Sequence, residues 1–102
     1  MIANRGELEG TRVLQSPTVD LMLGRALPGF DANQGLAWFH SRVAGREVVG
    51  HDGGDFGVST EMWLDRTTGV GVIVLMNVDG TGANHKAMRR IEESLFALGE
   101  GF

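Results

Sequence analysis

The chain has 102 residues, 42% of them hydrophobic and 22% charged, with a net charge of -4 and no cysteine. That length holds one small domain with a single core, and the balance of apolar and charged residues favours neither a disordered nor a membrane-spanning class. The missing cysteines exclude disulfides, thiol nucleophiles and cysteine-ligated zinc, and no run of Lys or Arg lies ready for a phosphate backbone, so nucleic acid is not an expected partner.

Residues Met1 to Leu14 alternate weakly around Gly6 and Gly10, as expected of an irregular or short extended opening. They lack the apolar core of a signal peptide, and the longest apolar run, Val70 to Met76, is too short to cross a bilayer. Localisation is therefore open, and no membrane partner is expected. Ser16-Pro17 predicts a helix start, with Ser16 as N-cap; Val19, Met22 and Leu23 share one face, and Gly24 is a stop. Residues 1–34 thus read as an irregular segment plus a short helix.

The period changes at Gly35. Leu36 to His40 and Glu47 to Val49 are β-prone runs joined through Ala44-Gly45, the pattern of a hairpin. Val58 to Asp65 alternates, with Val58, Thr60, Met62 and Leu64 on one face and Ser59, Glu61, Trp63 and Asp65 on the other. Val70 to Asn77 is apolar on both faces, which predicts a central strand. Residues 35–78 therefore form a meander of about four antiparallel strands. A C-terminal helix over residues 82–99 follows, with Met88, Ile91, Leu95 and Leu98 turned to the sheet and Lys86, Arg89, Glu92 and Glu93 turned away. Arg89 is then in reach of Glu93 on a solvated face. The expected architecture is α+β, a single domain over 1–102 with the last helix packed across the sheet.

The stretch Gly50-His51-Asp52-Gly53-Gly54-Asp55-Phe56-Gly57 stands out: a histidine among four glycines between two strands. Taken with Gly35-Leu36-Ala37-Trp38 before it, and with Trp63-Leu64-Asp65 and Gly71 to Asn77 after it, it resembles the C-terminal portion of the serine β-lactamase-like family. That family comprises class C β-lactamases, D-alanyl-D-alanine carboxypeptidases and related esterases. Asn4 to Gly10 and Val13 to Pro17 resemble its segment just before the last strands. The resemblance implies a partial β-lactamase-like fold in which His51-Asp52-Gly53 matches the family's third motif, a strand-edge form of the Lys-Thr-Gly element. By that resemblance His51 faces the cleft and polarises the nucleophile or binds a carboxylate. Gly53 lets the strand edge approach the substrate, the Gly54 N–H is an oxyanion donor, and Asp52, Asp55, Phe56 and Gly57 border the groove.

The family's other two motifs do not occur. The only lysine is Lys86, and Ala83 stands three residues before it, so no Ser-x-x-Lys exists; there is no tyrosine for Tyr-x-Asn. No serine is followed two residues on by asparagine. The expected function is that of a truncated relative or fragment of a serine hydrolase, inactive alone, with no cofactor. In the family's full fold, as the resemblance implies, N-terminal strands and an N-terminal helix complete the sheet. Without them a strand edge and an apolar face stay bare, and a homodimer or other homo-oligomer is expected to bury them. Two alternatives are a binding module for a small ligand or peptide at the groove around His51, and half of a split hydrolase completed by another chain. A metal reading of His51, Asp52 and Asp55, with His40 or His85, has no recognisable ligand spacing, and no metal is expected. Gly80-Thr81-Gly82 has too little of a P-loop to hold phosphate and reads as the start of the last helix.

Overall fold

Two short segments, Glu7–Leu8 (β1) and Thr11–Arg12 (β2), pair at the start of the chain and give the irregular opening a small hairpin. The computed structural model describes all 102 residues. The first helix, α1, runs from Ser16 to Leu23 and buries Val19 and Leu23; Gly24 ends it in an extended conformation. Its cap is not Ser16. Gln15 holds the N-cap position, and the Ser16 hydroxyl instead donates to the Arg5 carbonyl at 3.2 Å, tying the helix to the opening segment.

The main sheet has four antiparallel strands in the order β3 (Phe39–Val43), β4 (Arg46–Asp55), β5 (Val58–Leu64) and β6 (Gly71–Met76). The first strand starts at Phe39 rather than Leu36, because Ala37 adopts a left-handed backbone (φ 61°) that no extended strand contains. Ala44 (φ 50°) and Gly45 (φ 79°) make the two-residue turn between β3 and β4, both in the left-handed region that matches strand twist. The last helix, α2, spans Gly82–Gly99, and the Thr81 hydroxyl accepts from the Asn84 N–H at 3.2 Å to cap it.

Two expectations, for α2 and for β6, are corrected, and the buried face of β5, which the alternation left open, is decided. On β5 it is the polar-looking side that is buried: Ser59, Glu61 and Trp63 turn to α2, while Val58 and Met62 are exposed. On α2 the buried stripe is Met88, Glu92 and Phe96; Arg89 leans inward, and Ile91 (44% exposed), Leu95 (37%) and Leu98 (61%) do not meet the sheet. The helix is rotated toward β5 by what Arg89 and Glu92 find there. Finally, β6 is an edge strand, not a central one, with Ile73 61% and Leu75 74% exposed. Its inward side chains, Val72 and Val74, join Val43, Val48, Trp63, Met88 and Phe96 in the main core.

The opposite face of the sheet is covered only at one end. There Val19 and Leu23 of α1 pack on Val49, with Ile2, Leu14, Trp38 and Leu64 around them. The rest of that face, from Met62 across Ile73 to Leu75, is open.

Candidate functional site on the free edge of the glycine-rich strand

β4 is longer than its neighbour on one side. It pairs with β5 along its length from Val49 to Asp55, whereas β3 ends at Phe39 opposite Gly50. Residues 51–55 therefore have a partner on one side only. The hydrogen-bond parity of the ladder identifies what faces the gap. The Asp65 N–H donates to the Val70 carbonyl at 2.9 Å, and bonded and non-bonded pairs alternate along a regular antiparallel ladder. Counting back through β5, the mutually bonded partners of Met62, Thr60 and Val58 are His51, Gly53 and Asp55. Asp52 and Gly54 consequently aim their backbone N–H and C=O groups outward, at the open edge.

Side chains alternate across this edge. His51 lies on the open face of the sheet, exposed, with its ring 5.0 Å from that of Phe39 and tilted by 60°. Its Nδ1 donates to the Asp52 carbonyl, which leaves Nε2 outside that bond. The ring thus leans over the same edge at which the Gly54 N–H points. A Cβ at Gly53 would come within 2.9 Å of the Thr60 hydroxyl, which donates to the Gly53 carbonyl, so a side chain there would displace that hydroxyl.

Asp52 turns the other way, toward α2, into a cleft of about 430 Å³ that it lines with Phe39, Ser41, Glu61, Trp63 and Arg89. Asp55, Phe56 and Gly57 lie beyond, at the hairpin tip. Asp55 accepts from the Phe56 N–H at 2.7 Å, Asp79 accepts from the Gly57 N–H at 2.6 Å, and Gly57 sits at φ 74°. These three residues shape the turn, while His51, Asp52, Gly53 and Gly54 form the edge.

A cluster beneath the cleft escapes reading from local pattern. The Trp63 indole N–H donates to Glu61, Arg89 lies 3.5 Å from Glu61 and 3.1 Å from Glu92, and its guanidinium sits 5.8 Å from the Trp63 ring centroid. Arg89 is thus not the partner of Glu93. His85, at the start of α2, reaches Glu61 at 3.8 Å. Glu92 is fully buried, and neither of its oxygens gains an aligned hydrogen bond. Burial raises its carboxyl to about 7, Glu61 beside it pushes the same way, and Arg89 opposes. The only local hint is that Glu61 and Trp63 share a strand face; Arg89 and Glu92 come from residues far along the chain.

The family model described as Beta-lactamase matches residues 1–95 of the 102. The chain belongs to the beta-lactamase family. No curated protein and no solved structure matches it. For a beta-lactamase-family chain the four-stranded antiparallel sheet with α2 packed on it is the expected frame, and its relationship is to serine hydrolases. In this beta-lactamase-family member the histidine-glycine strand is present and no Ser-x-x-Lys occurs anywhere in the sequence.

Proposed function

We propose that this chain is a catalytically silent serine-hydrolase relative that keeps the substrate-facing strand edge, does not turn over substrate unaided, and self-associates. The observation that carries the reading is the unpaired stretch of β4, where His51 Nε2 and the outward Gly54 N–H flank one open edge. Acyl transfer at such an edge needs a hydroxyl nucleophile within hydrogen-bond reach of a base. The nearest hydroxyl across the strand, Thr60, is already committed to the Gly53 carbonyl. Any serine that serves this edge comes from outside these residues. With one supplied, His51 would polarise it or hold a substrate carboxylate, Gly53 would admit the backbone, and the Gly54 N–H would donate to an oxyanion.

The test is hydrolysis of a chromogenic cephalosporin and of a p-nitrophenyl ester by the chain and by His51→Ala. Equal, background rates and no covalent adduct in the mass spectrum are expected. Turnover by the wild type that His51→Ala abolishes would overturn the proposal.

The same edge supports a second reading, a binding module in which an extended peptide or small carboxylate lies alongside Asp52 and Gly54 and pairs with their free backbone groups. Titration with a short peptide should then show saturable binding that His51→Ala weakens. Heats no larger than dilution would remove this reading.

A further inference from the structure

Phe39 and His51 belong to opposite faces of the sheet, yet their rings meet. Phe39 is paired with Gly50, which puts its side chain on the α2 face with Trp63, whereas His51 is paired with Met62 on the other face. Rings that start on opposite faces come within 5.0 Å of each other only around the free edge of β4, and that edge begins where β3 ends, at Phe39. The neighbours of Phe39 send its ring that way. Gly50 offers it no side chain across the strand, and the space above Gly50 belongs to Trp63, whose ring stands 2.7 Å from the place a Gly50 Cβ would take. What is left to the Phe39 ring is the open edge.

The backbone beneath Phe39 is held from both sides. Toward β4 it pairs with Gly50, and on its outer side it bridges to Gln34, with the His40 N–H donating to the Asn33 carbonyl at 2.8 Å. The His40 imidazole adds a bond from Nε2 to the Leu23 carbonyl at 2.7 Å, which fastens the start of β3 to the end of α1. Just upstream the chain turns away, with the Gly35 N–H donating to the Trp38 carbonyl at 2.6 Å and Ala37 left-handed. The turn that stops β3, and so opens the edge of β4, therefore also sets Phe39 at the mouth of the opening.

We infer that Phe39 is a positioning residue whose ring, together with the Asp52 carbonyl, holds the His51 imidazole over the open edge of β4. This deepens the proposed function and rests on its assignment of that edge as the site. The imidazole is exposed, and its one hydrogen bond goes to a carbonyl of its own strand. A ring held by that bond alone can still swing about it, and a contact on the ring itself removes that freedom. The separation of 5.0 Å and the tilt of 60° suit an aromatic pair in which the edge of one ring approaches the face of the other. Such a pair favours the paired conformer by a factor of about 2 to 10, against an exposed side chain spread over its staggered χ1 wells. An exposed functional group needs support of this kind if its ring is to stand ready at one place on the edge.

The chain has three histidines, so each can be followed by NMR, with His51→Ala identifying the His51 signals. The Hα–Hβ couplings of His51 report its χ1 rotamer. One rotamer and a cross-relaxation peak between the Phe39 and His51 rings are expected in the wild type. Phe39→Leu keeps an apolar side chain but no ring, and averaged His51 couplings are expected, with those of His40 and His85 unchanged as a sign of an intact fold. Phe39→Tyr should restore the single rotamer. His51 couplings that Phe39→Leu leaves as they were would overturn the inference.

Binding gives a second readout, with an acetylated tetra-alanine as the probe of the edge. Phe39→Leu is expected to weaken its binding about 2- to 10-fold, Phe39→Tyr to leave it unchanged, and Phe39→Leu in the His51→Ala background to add nothing. An equal loss with and without His51 would mean that Phe39 acts on the probe or on the fold directly, which also overturns the positioning role. A wild type without saturable binding removes the peptide reading of the site alone, and the His51 couplings then decide for or against Phe39.

Discussion

Gly50→Ala is expected to lower folding stability by at least about 3 kcal/mol, a large share of the total for a domain of this size. An ideal Cβ at Gly50 would lie 1.8 Å from the Met62 carbonyl oxygen and 2.7 Å from the Trp63 ring. Both belong to β5, the strand that β4 must touch. The first contact is backbone, so no rotamer change relieves it; either the strands separate or the register shifts. Separation breaks the ladder between the two central strands and loosens Trp63, which holds Glu61 by its indole N–H. Urea unfolding followed by tryptophan fluorescence measures the loss. Gly54→Ala is the comparison, since its Cβ would meet nothing closer than the Val58 carbonyl at 3.8 Å. Equal midpoints for wild type and Gly50→Ala would show that the close approach is not a constraint.

Glu92→Gln is expected to change the pH dependence of stability and to stabilise the protein in mild base. The folded protein holds a proton on Glu92 to about 7, against an ordinary value of 4.5, so between these values the native state binds more protons than the unfolded chain. Stability therefore falls as pH rises through that window. The Glu92 penalty is absent below it and complete above it, at up to about 3 kcal/mol. The groups that face Glu92 are Glu61 on β5, Arg89 on its own helix, and the Trp63 indole, with His85 acting on Glu61. The difference between wild type and Glu92→Gln isolates the buried carboxyl. The glutamine keeps the shape and donates an N–H toward Glu61 without charge. Thermal melts from pH 5 to 8 should show the wild type declining and Glu92→Gln declining less, with the largest gap at pH 8. A parallel pair of curves would locate the pH sensitivity elsewhere.

Both effects trace to contacts that no short window contains. The existence and type of the main elements were legible because they depend on local periods: the turn residues Ala44-Gly45, the alternation of β5, and the long helix from Gly82 to Gly99. The candidate edge was legible as a resemblance carried by His51, Gly53 and Gly54, and the outward direction of the Gly54 N–H required the strand register. Which face of an element is buried was much less legible. An alternating strand has two candidate faces, and on β5 the buried one carries Ser59 and Glu61, because Trp63 and Arg89 supply partners that offset the cost of burying a carboxylate.

β6 illustrates the opposite case. Its residues are apolar on both sides, as in a strand with neighbours everywhere, yet these residues supply a neighbour on one side only. Apolar pattern records the surroundings a segment is suited to, while pairing depends on which strands are present to fill them. Adjacent or regularly spaced residues were enough to specify the α+β class, the order of strands and last helix, the histidine-glycine strand and the absence of a Ser-x-x-Lys nucleophile. Three features came into view with the folded chain alone: β4 outruns β3 and leaves Asp52 and Gly54 unpaired, Glu92 lies buried against Arg89, and β6 is left as an edge strand. Each of these depends on register and packing between segments far apart in the chain.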